Sequence, residues 1–407
     1  MGLSGETVSG TTANGGKRNL LIVFSIILLV GMGEELWVRF LPQYLENLGG
    51  SVWVVAAYGV LYSLLDGVYQ YPGGWIADHL GRRRALTMFT LAAAAGYSMC
   101  LLPGWPWVLF ATFLVMAWDA LTLPALFATV ADNLPPARRA TGFAVQSIVR
   151  RIPTIVAPPL GGLLVAWLGL VEGVRLGLAL TVALGLVAAV VVAAGYRDNT
   201  VRPSKRVAAL DMWRGLDGRL KTLLVSDVLS RWAEGIPRVF VVIFCLGPLA
   251  VSPIEFGWLI AIQRTTNVLV YVPLAPLADR MNRKPFVLAT FLFFALFPLM
   301  LAHANGFAGA VAAFLVAGLW EVGEPARKAL IVDLADPALR GRSVGIYYLA
   351  RNLAVFPAAL VGGILWQTIG PRAMLHVAFA VGLVGFVFFA VWGPTERPTV
   401  AESGGAS

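Results

Sequence analysis

The feature that most constrains this chain is a succession of apolar stretches about twenty residues long, the length a helix needs to cross the hydrocarbon core of a bilayer. Twelve follow one another, over residues 20–42, 53–77, 85–102, 105–131, 141–167, 174–195, 221–247, 254–278, 285–303, 307–333, 342–367 and 373–393, hereafter spans 1 to 12. The runs are too long, and alternate too poorly, to be strands of a membrane barrel. Helix is the other way to satisfy a backbone in lipid. Hydrophobic residues make up 58% of the chain and charged residues 13%, against about half and a quarter in soluble domains. The expectation is an all-α integral membrane protein.

Between the spans, basic residues accumulate on one side. Arg82 to Arg84, Arg138 and Arg139, the block from Arg197 to Lys221, Arg280, Arg283, Lys284, Arg340 and Arg342 all fall in alternate loops, while the other loops carry little besides Arg175 and Arg372. Basic loops stay in the cytoplasm, so both termini are expected there, in a multi-pass protein of the cell membrane. The net charge of +9 then needs anionic lipid and no nucleic acid to explain it. Residues 1–18, polar and rich in Gly, Ser and Thr, read as a disordered cytoplasmic tail rather than a signal peptide. Residues 196–220 read as a cytoplasmic linker and 395–407 as a second tail. Cys100 and Cys245 lie inside spans and form no disulfide framework. Trp53, Trp105, Trp107, Trp167, Trp258, Trp366 and Trp392 lie near span ends, as interfacial anchors do.

The two halves of the chain repeat. One offset of 201 positions pairs Pro72 with Pro273, Asp78 with Asp279, Pro124 with Pro325, Asp132 with Asp333, Arg139 with Arg340, Arg150 with Arg351, and Gly161-Gly162 with Gly362-Gly363. A single offset held through several helices is a duplication. It divides the chain into two six-helix bundles, 19–195 and 221–394, related by a pseudo-two-fold axis along the membrane normal.

Within this frame, "GGWIADHLGRRRAL" (residues 73–86) resembles the loop signature of the major facilitator superfamily, matched by Gly74, Ile76, Ala77, Asp78, Gly81, Arg82, Arg83 and Leu86 between spans 2 and 3. The second copy, "APLADRMNRKPFV", keeps Asp279, Arg283 and Lys284. The resemblance implies the fold of that superfamily and a cytoplasmic gate made by Gly74, Asp78, Gly81, Arg82, Asp132, Asp279 and Arg283. In it Gly74 allows a close helix approach and Gly81 a tight turn. Asp78 faces the amino end of span 11, and Arg82 reaches Asp132. The alternative is that the basic residues only enforce topology, which suits Arg83 and Arg84. "TIVAPPLGG" (154–162) resembles the span 5 motif of the superfamily's proton antiporters, with Ala157 replacing its first glycine and Pro158, Gly161 and Gly162 kept. Small residues there let spans 5 and 8 meet closely.

Sixteen ionisable residues fall inside the spans: Glu34, Glu35, Arg39, Asp66, Asp119, Arg150, Arg151, Asp227, Arg231, Glu234, Arg238, Arg264, Glu321, Glu324, Arg327 and Arg351. A charge in hydrocarbon costs several kcal/mol, so such residues face a polar interior. Asp227, Arg231, Glu234 and Arg238 recur at spacings of four, three and four, one face of a helix. The resemblance implies a central cavity lined by spans 1, 4, 7 and 10, with 5 and 11 contributing. The expected substrate and proton pathway is Glu34, Glu35, Asp119, Arg150, Arg231, Glu234, Glu321, Glu324 and Arg351. Adjacent residues point about 100° apart, so only one of Glu34 and Glu35 aims at the axis. The competing reading is that acids and bases pair as structural salt bridges.

There is no Gly-x-x-x-x-Gly-Lys-Ser/Thr loop for a nucleotide, and neither His nor Cys clusters with the acids as a metal site would need. No nucleophile, base and orienting group form an enzyme constellation. The chain therefore reads as a secondary transporter of a small polar or charged organic solute. No cofactor is expected, protons are the coupling ion, and the protein is monomeric and surrounded by lipid. Export by antiport is favoured over proton-driven uptake of an organic anion or zwitterion. A membrane sensor that binds a ligand and moves nothing is the competitor from another class.

Overall fold

The computed structural model describes residues 6–198, 217–334 and 340–394, and among them there is helix and no strand. Spans 2, 3, 5, 6, 8, 9 and 12 are single helices, Val52–Leu80, Arg82–Met99, Pro136–Leu168, Leu170–Gly195, Pro253–Arg280, Arg283–His303 and Pro371–Trp392. The other five are broken. Span 1 is Glu6–Glu35 and Leu41–Asn47, span 4 is Trp105–Met116 and Thr122–Asn133, and span 7 is Gly218–Gly235 and Val241–Leu246. Span 10 is Gly306–Leu319 and Glu324–Asp333, and span 11 is Arg340–Val355 and Ala358–Ile369.

Among the described residues nine helical stretches are long and apolar enough to cross a membrane by length and composition. Spans 3, 7 and 8 are the ones that fall short. Span 3 opens on three arginines, span 7 carries Asp227, Arg231 and Glu234 on its first helix and Arg238 in its break, and span 8 carries Arg264. Arg231 and Arg264 turn toward the interior cavity, whereas Arg83 and Arg84 are exposed at the basic end of span 3, so the charges of spans 7 and 8 are kept from lipid by the bundle and those of span 3 by their place at its end. On the outside, Leu21, Phe110, Trp167, Val190, Leu269 and Val391 are exposed, as side chains that meet acyl chains must be.

Two expected boundaries differ. The first helix starts at Glu6, so the expected tail, 1–18, is helical from there on; once a helix is nucleated in the apolar run, each added residue gains a backbone hydrogen bond. Most of the expected linker, residues 199–216, lies outside the described residues, as do 395–407. Span 7 begins at Gly218 behind Asp217, whose carboxylate accepts from Arg219 N at 2.7 Å. That backbone donor holds the Asp217 carboxyl below its ordinary range. Span 8 begins with a full capping box between Ser252 and Glu255.

The duplication is visible in packing. Gly161 of span 5 sits against the Leu36 carbonyl in the bend of span 1, and Gly362 of span 11 sits against the Ile236 carbonyl in the bend of span 7. Between the halves, Gly162 meets the Pro253 carbonyl of span 8, and its mate Gly363 meets span 2, where an added Cβ would stand 2.8 Å from Ala56 Cβ. Gly257 likewise packs on the Pro158 carbonyl, and Gly59 would put a Cβ 2.7 Å from Ala359 Cβ. Small residues thus bring spans 5 and 8 to backbone contact, and let alanine side chains of spans 2 and 11 pack on the facing glycines. All of these contacts lie toward the face opposite the basic loops, where the two halves are closed on each other.

Replacing Gly161 by Ala would drive a methyl into the Leu36 carbonyl. The expected cost is about 1–3 kcal/mol, read as earlier thermal unfolding in detergent. Gly185→Ala, where the new Cβ would stand 3.6 Å from Ala94 Cβ, should unfold like the parent. Equal unfolding of the two variants would show that the span 1–span 5 contact is not tight.

Candidate functional site

Between the halves lies a cavity of about 480 Å³, bordered by spans 1, 2, 7, 8, 10 and 11, with Phe297 from span 9. Five arginines line it, Arg39, Arg231, Arg238, Arg264 and Arg351, with three carboxylates, Asp66, Glu234 and Glu321, and aromatic walls from Tyr58, Tyr62, Phe256 and Trp320. Its size is that of an ordinary small-molecule site. Arg231, Glu234, Glu321 and Arg351 are thus where they were expected. Glu34, Glu35, Asp119 and Arg150 are not.

Those four border a second, smaller cavity of about 90 Å³ between spans 1, 4 and 5. Asp119 sits in a π-helical turn, Ala117–Leu121, that interrupts span 4. Such turns widen a helix by one residue and re-aim its side chains. Tyr62, a wall residue of the large cavity, donates from its hydroxyl to Asp119 Oδ2 at 3.3 Å. Span 4 therefore reaches the central cavity only through Tyr62, which corrects the expectation that it lines it.

The two glutamates of span 1 diverge as helix geometry requires. Glu34 is buried and accepts from the Tyr97 hydroxyl of span 3 at 3.2 Å. Glu35 takes two hydrogen bonds from Arg39, at 2.7 and 2.8 Å. Arg39 in turn lines the large cavity, so the Glu35–Arg39 pair and the Tyr62–Asp119 pair both stand in the wall between the two. Among the described residues, neither Glu34 nor Asp119 has a cation within 4.0 Å.

The carboxy-terminal half shows the opposite pattern. Asp227 accepts from Arg327 and from the Tyr347 hydroxyl, at 2.9 Å for the latter. Arg327 also forks onto both oxygens of Glu324, and Arg231 bonds Glu234 at 2.9 Å and stands 3.5 Å from Glu324. Arg351 lies 3.8 Å from Asp227. Here the salt-bridge alternative describes the residues well. Glu324, expected in the pathway, does not line the cavity; it is held under Arg327 and Arg231. Across the halves, Arg151 meets Glu321 at 3.6 Å, and the Arg238 guanidinium lies 5.0 Å from the centre of the Tyr62 ring.

At the basic face, Arg82 bonds Asp78 at 2.6 Å and lies 3.5 Å from Asp132. The repeat-related pair Arg283–Asp333 is formed as well. Both clusters tie helices within one half. The contact expected between Asp78 and the start of span 11 falls beside residues 335–339, outside the described residues, as does the side chain of Asp279. Gly81 takes the positive φ, 84°, that its tight turn requires. Gly74 is not the close-approach glycine: a Cβ there would lie 3.5 Å from Pro124 Cβ, whereas Gly73 packs on the Leu121 carbonyl of span 4. One helical step separates their faces. Arg83, read as topology alone, donates to the Ala193 carbonyl at the end of span 6, and Lys284 donates to Gly393 O at the end of span 12, 2.9 Å away. Each cation complements a helix carboxyl end.

Sequence reasoning placed Arg39, Asp66, Arg238 and Arg264 inside spans without assigning them to the cavity, and passed over Tyr62. Charge was the available signal; a tyrosine among 10 carries none. Arg327 is the clearest structural charge. Arg327→Leu would leave Asp227 and Glu324 facing each other's ion network without their shared partner, a loss of about 3–5 kcal/mol that thermal unfolding in detergent should register. Parent-like unfolding would refute that role.

A family model described as the Major Facilitator Superfamily matches residues 23–250 and again 223–407. The "Multidrug resistance protein MdtH" of Photorhabdus laumondii is 24% identical over 363 residues, 85% of this chain and 86% of that protein. The "Tetracycline resistance protein, class E" of Escherichia coli is 28% identical over 163 residues, 38% of this chain and only 40% of the relative's length. In fold, the chain is similar to the nucleoside transporter NupG, with a TM-score of 0.78 at 12% identity over 92% of this chain and 100% of the other. It is also similar to a POT family transporter in complex with 5-aminolevulinic acid, with a TM-score of 0.75 at 15% identity over 93% and 96%. Twelve spans in two duplicated bundles around a charged cavity, and a match over nearly the whole length, have one reading: this chain belongs to the Major Facilitator Superfamily of membrane transporters.

Proposed function

We propose that this chain is a proton-coupled antiporter that exports a small charged organic solute across the cell membrane by alternating access. Its basic loops and both termini then lie in the cytoplasm, and the monomer is the working unit. The observation that carries the coupling is the small cavity. Glu34 and Asp119 are acids that can gain or lose a proton without breaking an ion pair, whereas Glu35, Glu234, Glu321 and Glu324 each have an arginine. Two pairs in the partition, Tyr62 with Asp119 and Arg39 with Glu35, give that cavity a mechanical link to the solute cavity. A solute that draws Arg39 or Tyr62 toward itself withdraws a partner from the acid pocket, and protonation of the pocket frees the same groups for the solute.

Export is favoured over uptake by the named resistance proteins among the relatives and by the Pro158, Gly161, Gly162 motif, whose close packing seals the bundle against proton leakage. The sealed face opposite the basic loops fits a state that receives its solute from the cytoplasm. The large cavity is the solute site, with Arg231, Glu234, Glu321 and Arg351 in its wall and Arg150 beside the acids.

Flux in proteoliposomes tests this, using a panel that includes tetracycline and small aromatic carboxylates, with and without an imposed pH gradient. Glu34→Gln or Asp119→Asn should lower gradient-driven accumulation about tenfold or more while sparing solute exchange without a gradient, since exchange need not cycle a proton. Tyr62→Phe, which keeps the ring and removes the hydroxyl, should lower the protons moved per solute. If both acid variants keep full gradient-driven transport, the small cavity is not the proton site. Saturable binding with no flux in either direction would favour a sensor.

A further inference from the structure

The charge contacts of the basic face occur in both halves. Arg82–Asp132 has its mate in Arg283–Asp333, and Arg83 on the end of span 6 has its mate in Lys284 on the end of span 12. In the interior the halves differ: the Asp227–Glu324–Arg327 network has apolar mates, Ile26, Leu123 and Leu126, and Arg264 has no charged mate either. The offset of 201 places Ser63 on span 2 where span 8 has Arg264, and both line the large cavity. Among the described residues Arg264 makes no ion pair or hydrogen bond, and its Nε is buried without a partner. The other four arginines of the cavity each have a contact: Arg39 with Glu35, Arg231 with Glu234, Arg351 with Asn352, and Arg238 with the Tyr62 ring. A buried guanidinium left without an acceptor is costly. One that faces a cavity has an obvious source of acceptors in the solute that fills it.

We propose that Arg264 is the anion-binding residue of the central cavity, and that the solute is an organic anion whose carboxylate or phosphate accepts from the Arg264 guanidinium while its ring lies among the aromatic walls. This rests on the reading of the large cavity as the solute site. Charge balance supports an anion over an amine, because five arginines face three carboxylates around the cavity. The planar guanidinium matches either oxyanion by two parallel hydrogen bonds, and Tyr58, Phe256 and Trp320 suit a flat apolar body. Because Arg264 has no hydrogen bond or ion pair to lose among the described residues, its removal should not weaken the fold.

The experiment is binding to the purified full-length chain in detergent, read by calorimetry, with benzoate, phenyl phosphate, benzamide and benzylamine. At least one of the two anions should bind about tenfold or more tighter than benzamide and benzylamine, and which anion binds tighter separates a carboxylate site from a phosphate site. Arg264→Gln should bring that anion to the level of benzamide and unfold at the parent's temperature or above. Arg264→Lys should keep part of the preference. Benzamide or benzylamine binding as tightly as the anions would overturn the proposal, as would no saturable anion binding up to about 10 mM, or an anion preference that survives Arg264→Gln. Binding needs no gradient, so anion binding without driven flux would fail the transport reading alone, and driven flux of a cation untouched by Arg264→Gln would fail this one alone.

Discussion

An ionised side chain cannot face hydrocarbon without a cost of several kcal/mol, and this chain carries many within its membrane spans. The rest of the structure follows from that constraint. Helices with charges must turn them inward, a charged interior must be shared between two halves, and each ion must find a counter-ion, a polar partner or a solute-filled space. The half that contains Asp227, Glu324 and Arg327 resolves the problem by pairing: one fully buried arginine serves two acids, with Tyr347 on a remaining oxygen. The other half leaves Glu34 and Asp119 with a tyrosine hydroxyl each. Two duplicated bundles have thus diverged in how they treat charge, one pairing its buried acids with arginine and the other with tyrosine hydroxyls.

The second constraint is that lipid offers no hydrophobic force to press helices together, so close packing must do it. The glycines of spans 5 and 11 bring one backbone onto another at the bends of spans 1 and 7 and at the seam between the halves. The first two, at Leu36 and Ile236, are also places where helices are broken. A bend exposes a carbonyl that a straight helix would have used internally, and a glycine opposite it admits the neighbour's backbone. Breaks in spans 1, 4 and 7 therefore belong to the packing scheme, and the breaks in spans 1, 4 and 10 place the Arg39 region, Asp119 and Glu321 at irregular turns where side chains can be aimed.

Legibility in the sequence divided along the range of the interaction. The span count, the basic face, the duplication and the gate motif are local patterns or fixed offsets, and all could be read without coordinates. Helical periodicity also told that Glu34 and Glu35 diverge, and that Asp227, Arg231 and Glu234 share a face, whereas Arg238, expected on the same face, lies in the break after Gly235. The same reasoning erred where one residue of rotation mattered. It assigned close approach to Gly74 instead of Gly73, and it sent Asp119 to the central cavity, because a π turn is invisible in a pattern that assumes 3.6 residues per turn.

The sequence by itself determined that this protein is a membrane bundle of two related halves with ions in its interior, since length, hydropathy and repeat offset are properties of the chain. Only the tertiary structure decided which ion meets which. Arg327 and Asp227 are 100 positions apart, Tyr62 and Asp119 are 57, and Arg151 and Glu321 lie in different halves. Periodicity gives the face a charge occupies, while its partner depends on how neighbouring helices are rotated and how closely their small residues let them approach. That rotation divides the interior into a solute-sized cavity and a smaller acid pocket, and leaves Arg264 facing the first with no ion pair or hydrogen bond among the described residues.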